Sequence, residues 1–142
     1  ATRVTLSQPK FRSLMERYGQ NALPVPCPGL MECVEAGELE GERVEGLLRV
    51  LLRPCMDMPV KAVVLGCTHY VFLKKAIAGF FAPDVPLIDG NEGTVRQLGR
   101  RLSEEGLLTG RRGGRVTFLS SMEDERTLTQ MQNMLMMCTR GA

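Results

Sequence analysis

The sequence predicts an α/β fold built on a doubly wound parallel sheet. Two strand-length apolar runs, residues 60–65 and 85–88, alternate with stretches of helical period. Within the first, residues 62–65 are unbroken apolar with two valines, the composition of a parallel strand buried on both faces. Each run ends at a glycine-bearing turn, at Gly66 and Gly90, that leads into a helix, as βα units require.

The elements follow in order. Ser7 reads as the cap of a helix carrying Phe11, Leu14, Met15 and Tyr18 on one face, with Gly19 as its stop. Residues 22–26 read as a short strand, irregular or at an edge because Pro24 and Pro26 cannot donate to a ladder. Pro28 opens a helix to Ala36, which Gly37 ends. Residues 41–53 form the cleanest helix, with Val44, Leu47, Leu48, Leu51 and Leu52 in one stripe and Pro54 ending it. The strand at 60–65 follows, then a helix over 71–81 and the shorter strand 85–88. Residues 89–94 turn into a helix that points Val95, Leu98 and Leu102 inward, with Gly106 after it. Residues 115–119 read as a third strand. Residues 127–138 read as a last amphipathic helix, with Leu128, Met131, Leu135 and Cys138 on one side and its methionines filling core.

Composition narrows the function. A chain of 142 residues, 44% apolar, suffices for one hydrophobic core. A net charge of +2 gives no strong case for nucleic acid or a membrane surface. Arg111, Arg112 and Arg115 cluster among glycines and read as a solvated turn. Five cysteines, an odd count without framework spacing, read as reduced thiols, so the expected location is the cytoplasm. No signal-peptide pattern and no apolar run near about 18 residues is seen.

The chemistry gathers at residues 66–70. Cys67, Thr68 and His69, the only histidine, stand beyond a strand end, where open α/β sheets collect ligands. The thiolate is the reactive form of cysteine, and a helix N-terminus favours an anion. A histidine two residues along can bond the sulfur or move its proton. A lone cysteine is more often a buried structural residue; the glycine before it and the Thr-His after it favour the reactive reading. Zinc is not indicated, since Cys-x-His is not a usual ligand spacing and no CxxC pair exists. The Gly90-Asn91-Glu92-Gly93 turn can cradle a carboxylate or phosphate, but without phosphate-loop spacing it reads as a glycine-rich connection.

Leu65-Gly66-Cys67-Thr68-His69-Tyr70 resembles the second catalytic-cysteine motif of the cofactor-independent aspartate/glutamate racemases, closest to the glutamate-specific members, which make D-glutamate for bacterial peptidoglycan. Thr2, Thr5 and Ser7 resemble the family's threonine-containing loop. Cys27-Pro28 with Val34-Glu35-Ala36-Gly37 resembles its Cys-Pro…Val-Glu-x-Gly segment, and residues 88–94 its late strand-to-helix turn. Val71 departs from the usual proline. The family's Asp-Ser-Gly-x-Gly-like turn and its first cysteine find no match, so the chain resembles a carboxyl-terminal half.

The resemblance implies a two-domain racemase-like fold. Residues 1–90 would be the second α/β domain without its first strand. Residues 91–142 would be a returning segment completing the first domain, whose amino-terminal part is absent, so that a hydrophobic face would stand partly exposed. It also implies roles. Racemisation removes the α-proton from one face and returns a proton to the other, which two opposed bases do simply. Cys67 would be one base, assisted by His69. Thr68, Thr2 and Thr5 would bind substrate, and Glu35 would lie near its amino group or His69. From the residues alone, Thr2 and Thr5 read as turn and cap hydroxyls and Glu35 as a solvated helix charge. The resemblance implies no cofactor or metal, a small amino-acid substrate (glutamate), no nucleic-acid or membrane partner, and allows a homodimer. An aspartate racemase or related carbanion enzyme, and a non-catalytic pseudoenzyme or binding module, stay open. With one motif-supported thiol, this chain alone is expected to be inactive.

Overall fold

A computed structural model describes residues 1–110, 113–121 and 124–139, the side chains of 138 and 139 excepted. The Arg111–Arg112 pair and the Cys138 side chain lie outside the described residues. The chain divides into two units, Ala1–Leu102 and Ser103–Ala142.

The first unit opens with α1 (Arg3–Ser7) and α2 (Pro9–Tyr18). Thr2, not Ser7, is the cap here: its Oγ1 accepts the Thr5 N–H of α1 at 3.2 Å. Ser7 ends α1 and donates its hydroxyl to the Val4 carbonyl, while Pro9 fixes the start of α2 after Gln8. Gly19 closes α2 as expected. Phe11 and Met15 are half-buried, but Leu14 and Tyr18 on the same face are exposed.

Residues 22–26 are extended but form no strand, a correction that the two prolines explain. This segment is instead tied to Ala1, whose N-terminal amine donates to the Val25 carbonyl at 3.0 Å. The Ala1 carbonyl in turn accepts the Cys27 N–H at 2.9 Å. Gly29, at φ 89°, then turns the chain into α3 (Leu30–Glu35). Gly37, at φ 78°, closes it: Gly37 N–H bonds the Val34 carbonyl and Glu38 N–H the Cys33 carbonyl, satisfying the end of the helix.

The cleanest sequence helix is α4 (Glu42–Leu51), with Val44 and Leu48 fully buried. Pro54 does not stop the chain there. It sits in the first turn of α5 (Arg53–Met56), where a proline costs no hydrogen bond.

The sheet described has two parallel strands, β1 (Val63–Val64) and β2 (Leu87–Ile88), in register Val63↔Leu87 and Val64↔Ile88. Leu65 N–H extends the ladder to the Ile88 carbonyl at 2.8 Å. The two-faced burial expected for the first strand is not found. Leu65 is buried and Val63 and Leu87 half-buried, but their alternates Val64 and Ile88 are 69% and 49% exposed. The helix expected over 71–81 begins earlier as a 3₁₀ turn (Thr68–Leu73) and becomes α6 (Lys74–Ala78). His, Tyr, Val and Phe are poor helix formers, whereas Lys74, Lys75 and Ala76 are good ones.

The described hydrophobic core lies between Cys27 and Ile77. It joins α3 and α4 to Tyr70 and Leu73 of the 3₁₀ turn, and α3 packs extensively on that turn. After β2 comes α7 (Asn91–Glu104). Val95 and Leu98, expected inward, are 67% and 56% exposed, and only Leu102 is half-buried.

In the second unit, Gly106 takes φ 66° as the expected helix stop. Residues 115–119 form no strand; Val116 and Leu119 are exposed and have no ladder partner to make them one. The final helix, α8 (Glu125–Thr139), starts earlier than the periodicity indicates. Asp124 caps it, accepting the Thr127 N–H at 2.7 Å and the Thr127 hydroxyl at 2.8 Å. Leu128 and Met131 are half-buried on it and Leu135 exposed. No helix among the described residues is long and apolar enough to cross a membrane.

Candidate active site

The carboxyl end of β1 delivers Gly66 and then Cys67, which precedes the 3₁₀ turn in extended conformation. Cys67 Sγ lies 3.8 Å from Nδ1 of His69, the second residue of that turn. The other ring nitrogen of His69, Nε2, lies 3.2 Å from Glu35 Oε1 at the last residue of α3. An ionised carboxylate only accepts, so Glu35 favours the tautomer with the proton on Nε2. Nδ1 is then free to accept the thiol proton. Cys67 and His69 are partly buried, whereas the Glu35 side chain is 53% exposed.

Thr68 opens the 3₁₀ turn and is exposed. Thr2 and Thr5 bond each other through their hydroxyl oxygens at 2.8 Å. Their loop reaches the site through Ala1: a Cβ placed on Gly66 would stand 2.9 Å from Ala1 Cβ. Only a glycine therefore lets the threonine loop approach the residue before Cys67. Among the described residues, side chains link Cys67, His69 and Glu35 in one contact chain and Thr2 with Thr5 in another, and the Thr68 hydroxyl bonds to neither.

Two supports carried no role in the sequence. Tyr70 is buried and donates its hydroxyl to the Cys27 carbonyl at 2.9 Å, pinning the 3₁₀ turn to the segment before α3. Burial pushes its phenol well above the usual range. Burial also raises the thiol of Cys27, which bonds the Val25 carbonyl at 3.4 Å. The signal was in the motif: a tyrosine one residue past His69, if buried, needs a partner for its hydroxyl. The second support is Lys74 with Asp89, 3.2 Å apart. No group of three metal-ligating side chains occurs among the described residues.

The Asp/Glu/Hydantoin racemase family model matches residues 1–98. The chain belongs to that family. It is 46% identical over 131 residues to the glutamate racemase of Clostridium perfringens, covering 90% of this chain and 50% of the relative. The crystal structure of Francisella tularensis glutamate racemase in complex with D-glutamate aligns with TM-score 0.61 at 28% identity, over 72% of this chain and 39% of that one. Thermus thermophilus glutamate racemase in complex with beta-chloro-D-alanine aligns with TM-score 0.60 at 35% identity, over 74% of this chain and 41% of that one. The chain spans about half the length of the curated relatives it matches.

Proposed function

We propose that this chain supplies one half of a cofactor-independent glutamate racemase, with Cys67 as one of its two proton-transfer bases. The observation that carries the reading is the Cys67–His69–Glu35 chain at a strand end, in a member of the racemase family. Cys67 Sγ, freed of its proton by His69 Nδ1, takes the α-proton from one face of the amino acid. Glu35 holds the imidazole and stabilises its charge once it has accepted that proton. Thr68, on the exposed edge of the turn, and the Thr2–Thr5 pair supply hydroxyls for the substrate carboxylates. The base on the other face would come from a second thiol outside these residues. The product would be D-glutamate for peptidoglycan, made in the cytoplasm.

The same reading covers the fold. Residues 1–90 act as one α/β domain and residues 91–142 as the return to another, within a doubly wound two-domain enzyme. The exposed Val64–Ile88 face and the exposed Val95 and Leu98 of α7 support it, since each would be covered in the longer protein.

The test is solvent deuterium uptake at the α-carbon of L- and D-glutamate, with the other enantiomer measured in parallel. The chain should give at most exchange with retained configuration, and Cys67→Ala should abolish it. Acid–base groups contribute about 10²–10⁴-fold each, so a missing face removes most turnover. Brisk inversion by this chain, lost in Cys67→Ala, would mean a second base lies within it. Faster exchange with aspartate than with glutamate would move the substrate assignment.

A further inference from the structure

We propose that Lys74 and Asp89 are positioning residues that clasp the turn carrying Cys67 and His69 against the end of strand β2. The inference rests on the reading of Cys67 and His69 given above. Asp89 follows Ile88, the last paired residue of β2, whose carbonyl holds Leu65 N–H at 2.8 Å. Its carboxylate therefore stands at the carboxyl end of the sheet, one strand across from Gly66. Both of its oxygens are engaged. Oδ1 accepts the Asn91 N–H at 2.9 Å, at the start of α7, and Oδ2 accepts from Lys74 Nζ at 3.2 Å. The Asp89 side chain is only 16% exposed, so this is an anchored carboxylate and not a mobile surface charge. The Asn91 N–H first, and Lys74 second, hold its carboxyl below the usual range.

Lys74 is the first residue of α6, immediately after the 3₁₀ turn. The segment from Gly66 to Lys74 is thus fixed to β2 at both ends, by the Leu65–Ile88 bond before it and by the Lys74–Asp89 pair after it. Between these ends lie the thiol and the imidazole, in a 3₁₀ turn whose hydrogen bonds are poorer than those of an α-helix. Tyr70 ties the middle of the turn to the Cys27 carbonyl. At the turn's far end Leu73 is buried in the core, and Lys74 adds the bond that ties this end to β2. With its lysine open to solvent, such an ion pair adds little to global stability. Its effect here is to keep the Cys67–His69 contact in register.

The experiment measures iodoacetamide alkylation of Cys67 by peptide mapping, with the half-buried Cys55 as reference thiol. The 142-residue chain, Lys74→Met, Asp89→Asn and Lys74→Arg are each compared with and without His69→Asn. Asp89→Asn keeps an oxygen to accept the Asn91 N–H and so separates the clasp from the cap. In the parent chain, His69 should speed Cys67 alkylation by about tenfold. In Lys74→Met and Asp89→Asn that ratio should fall to about threefold or less, the coupling expected of groups acting through one another. Lys74→Arg should restore it. An unchanged ratio in both clasp variants overturns the clasp and leaves the site reading standing. A rise of Cys55 alkylation in step with Cys67 also overturns it, by showing general loosening. No effect of His69→Asn in the parent overturns the site reading and the clasp together.

Discussion

α4 and α7 are written in the same code and end differently. Both are amphipathic, both carry an acid in the first turn and an arginine in the last. Yet Val44 and Leu48 of α4 are wholly buried, and Val95 and Leu98 of α7 are 67% and 56% exposed. A hydrophobic stripe reports which face a helix is built to bury. It does not report whether the covering surface lies in the same chain. Residues 27–77 contain both sides of their interface, so α3, α4 and the 3₁₀ turn close on one another and form the core beneath Cys67, His69 and Glu35. α7 presents one side only.

The strongest way to break this contrast is to truncate one leucine in each helix. Leu48→Ala should destabilise the chain by about 2–5 kcal/mol, the range for buried leucines that leave a cavity. Leu98→Ala should fall within about 0.5 kcal/mol, as exposed substitutions do. Urea unfolding of the two variants decides it, and equal losses would mean α7 is covered in solution. In a protein of the relatives' full length, the Leu98→Ala cost should rise toward the Leu48 value.

A smaller effect is expected at Gly66, where the threonine loop meets the strand end. Gly66→Ala brings a Cβ to 2.9 Å from Ala1 Cβ, and Ala1 is held by bonds to Val25 and Cys27. Overpacking of this kind costs about 1–3 kcal/mol. A neutral Gly66→Ala by urea unfolding would mean that Ala1 yields, and that the two threonines are not fixed relative to Cys67.

How far the sequence revealed the site follows from the same contrast. Gly66, Cys67, Thr68 and His69 are consecutive, so their meeting at a strand end could be read from local pattern alone. Glu35 is 34 residues away from His69, and no periodicity links them; only the family resemblance placed it there. Lys74–Asp89 and Tyr70–Cys27 are likewise products of packing, invisible to a scan along the chain. The elements that differ in burial share one reason. The apolar runs at 60–65 and 115–119 and the helical stripe of Val95 and Leu98 mark faces suited to burial, and pattern alone does not say that they are covered. Val64, Val95 and Leu119 have the residue types of a core and yet stand in solvent among the described residues.

Tyr70 sharpens the comparison through pH. Its hydroxyl bonds the Cys27 carbonyl inside the region that is closed on itself, and burial raises its phenol from an ordinary value of 10.0. The unfolded chain binds fewer protons than the folded one above about pH 10, so stability is fully present below that value and falls as pH rises. Tyr70→Phe should cost about 1–3 kcal/mol near neutrality, for the carbonyl left without its donor. It should also flatten the alkaline fall seen by urea unfolding between pH 9 and 11, a window set around about 10. An unchanged alkaline fall would assign it to other groups.

The least effect is expected from two surface ion pairs, one in each region. Arg43 Nη1 contacts both oxygens of Glu38, at 2.8 and 2.9 Å, across the loop between α3 and α4. Arg96 Nη1 lies 3.2 Å from Glu92 Oε1, one turn apart on α7. Both pairs are exposed, so each should be worth no more than about 1 kcal/mol and should weaken with salt. Their difference lies in what they join. Arg43–Glu38 ties the loop after α3 to the first turn of α4, two helices that both contribute to the core, so its loss is felt when the core unfolds. Arg96–Glu92 supports only its own helix, at about 0.2–0.5 kcal/mol. Arg43→Ala should therefore lower the urea midpoint more than Arg96→Ala, and the gap should close at about 1 M salt, where screening acts within about 3 Å. If Arg96→Ala proves the costlier at low salt, α7 is coupled to the core more tightly than its exposed leucine and valine indicate.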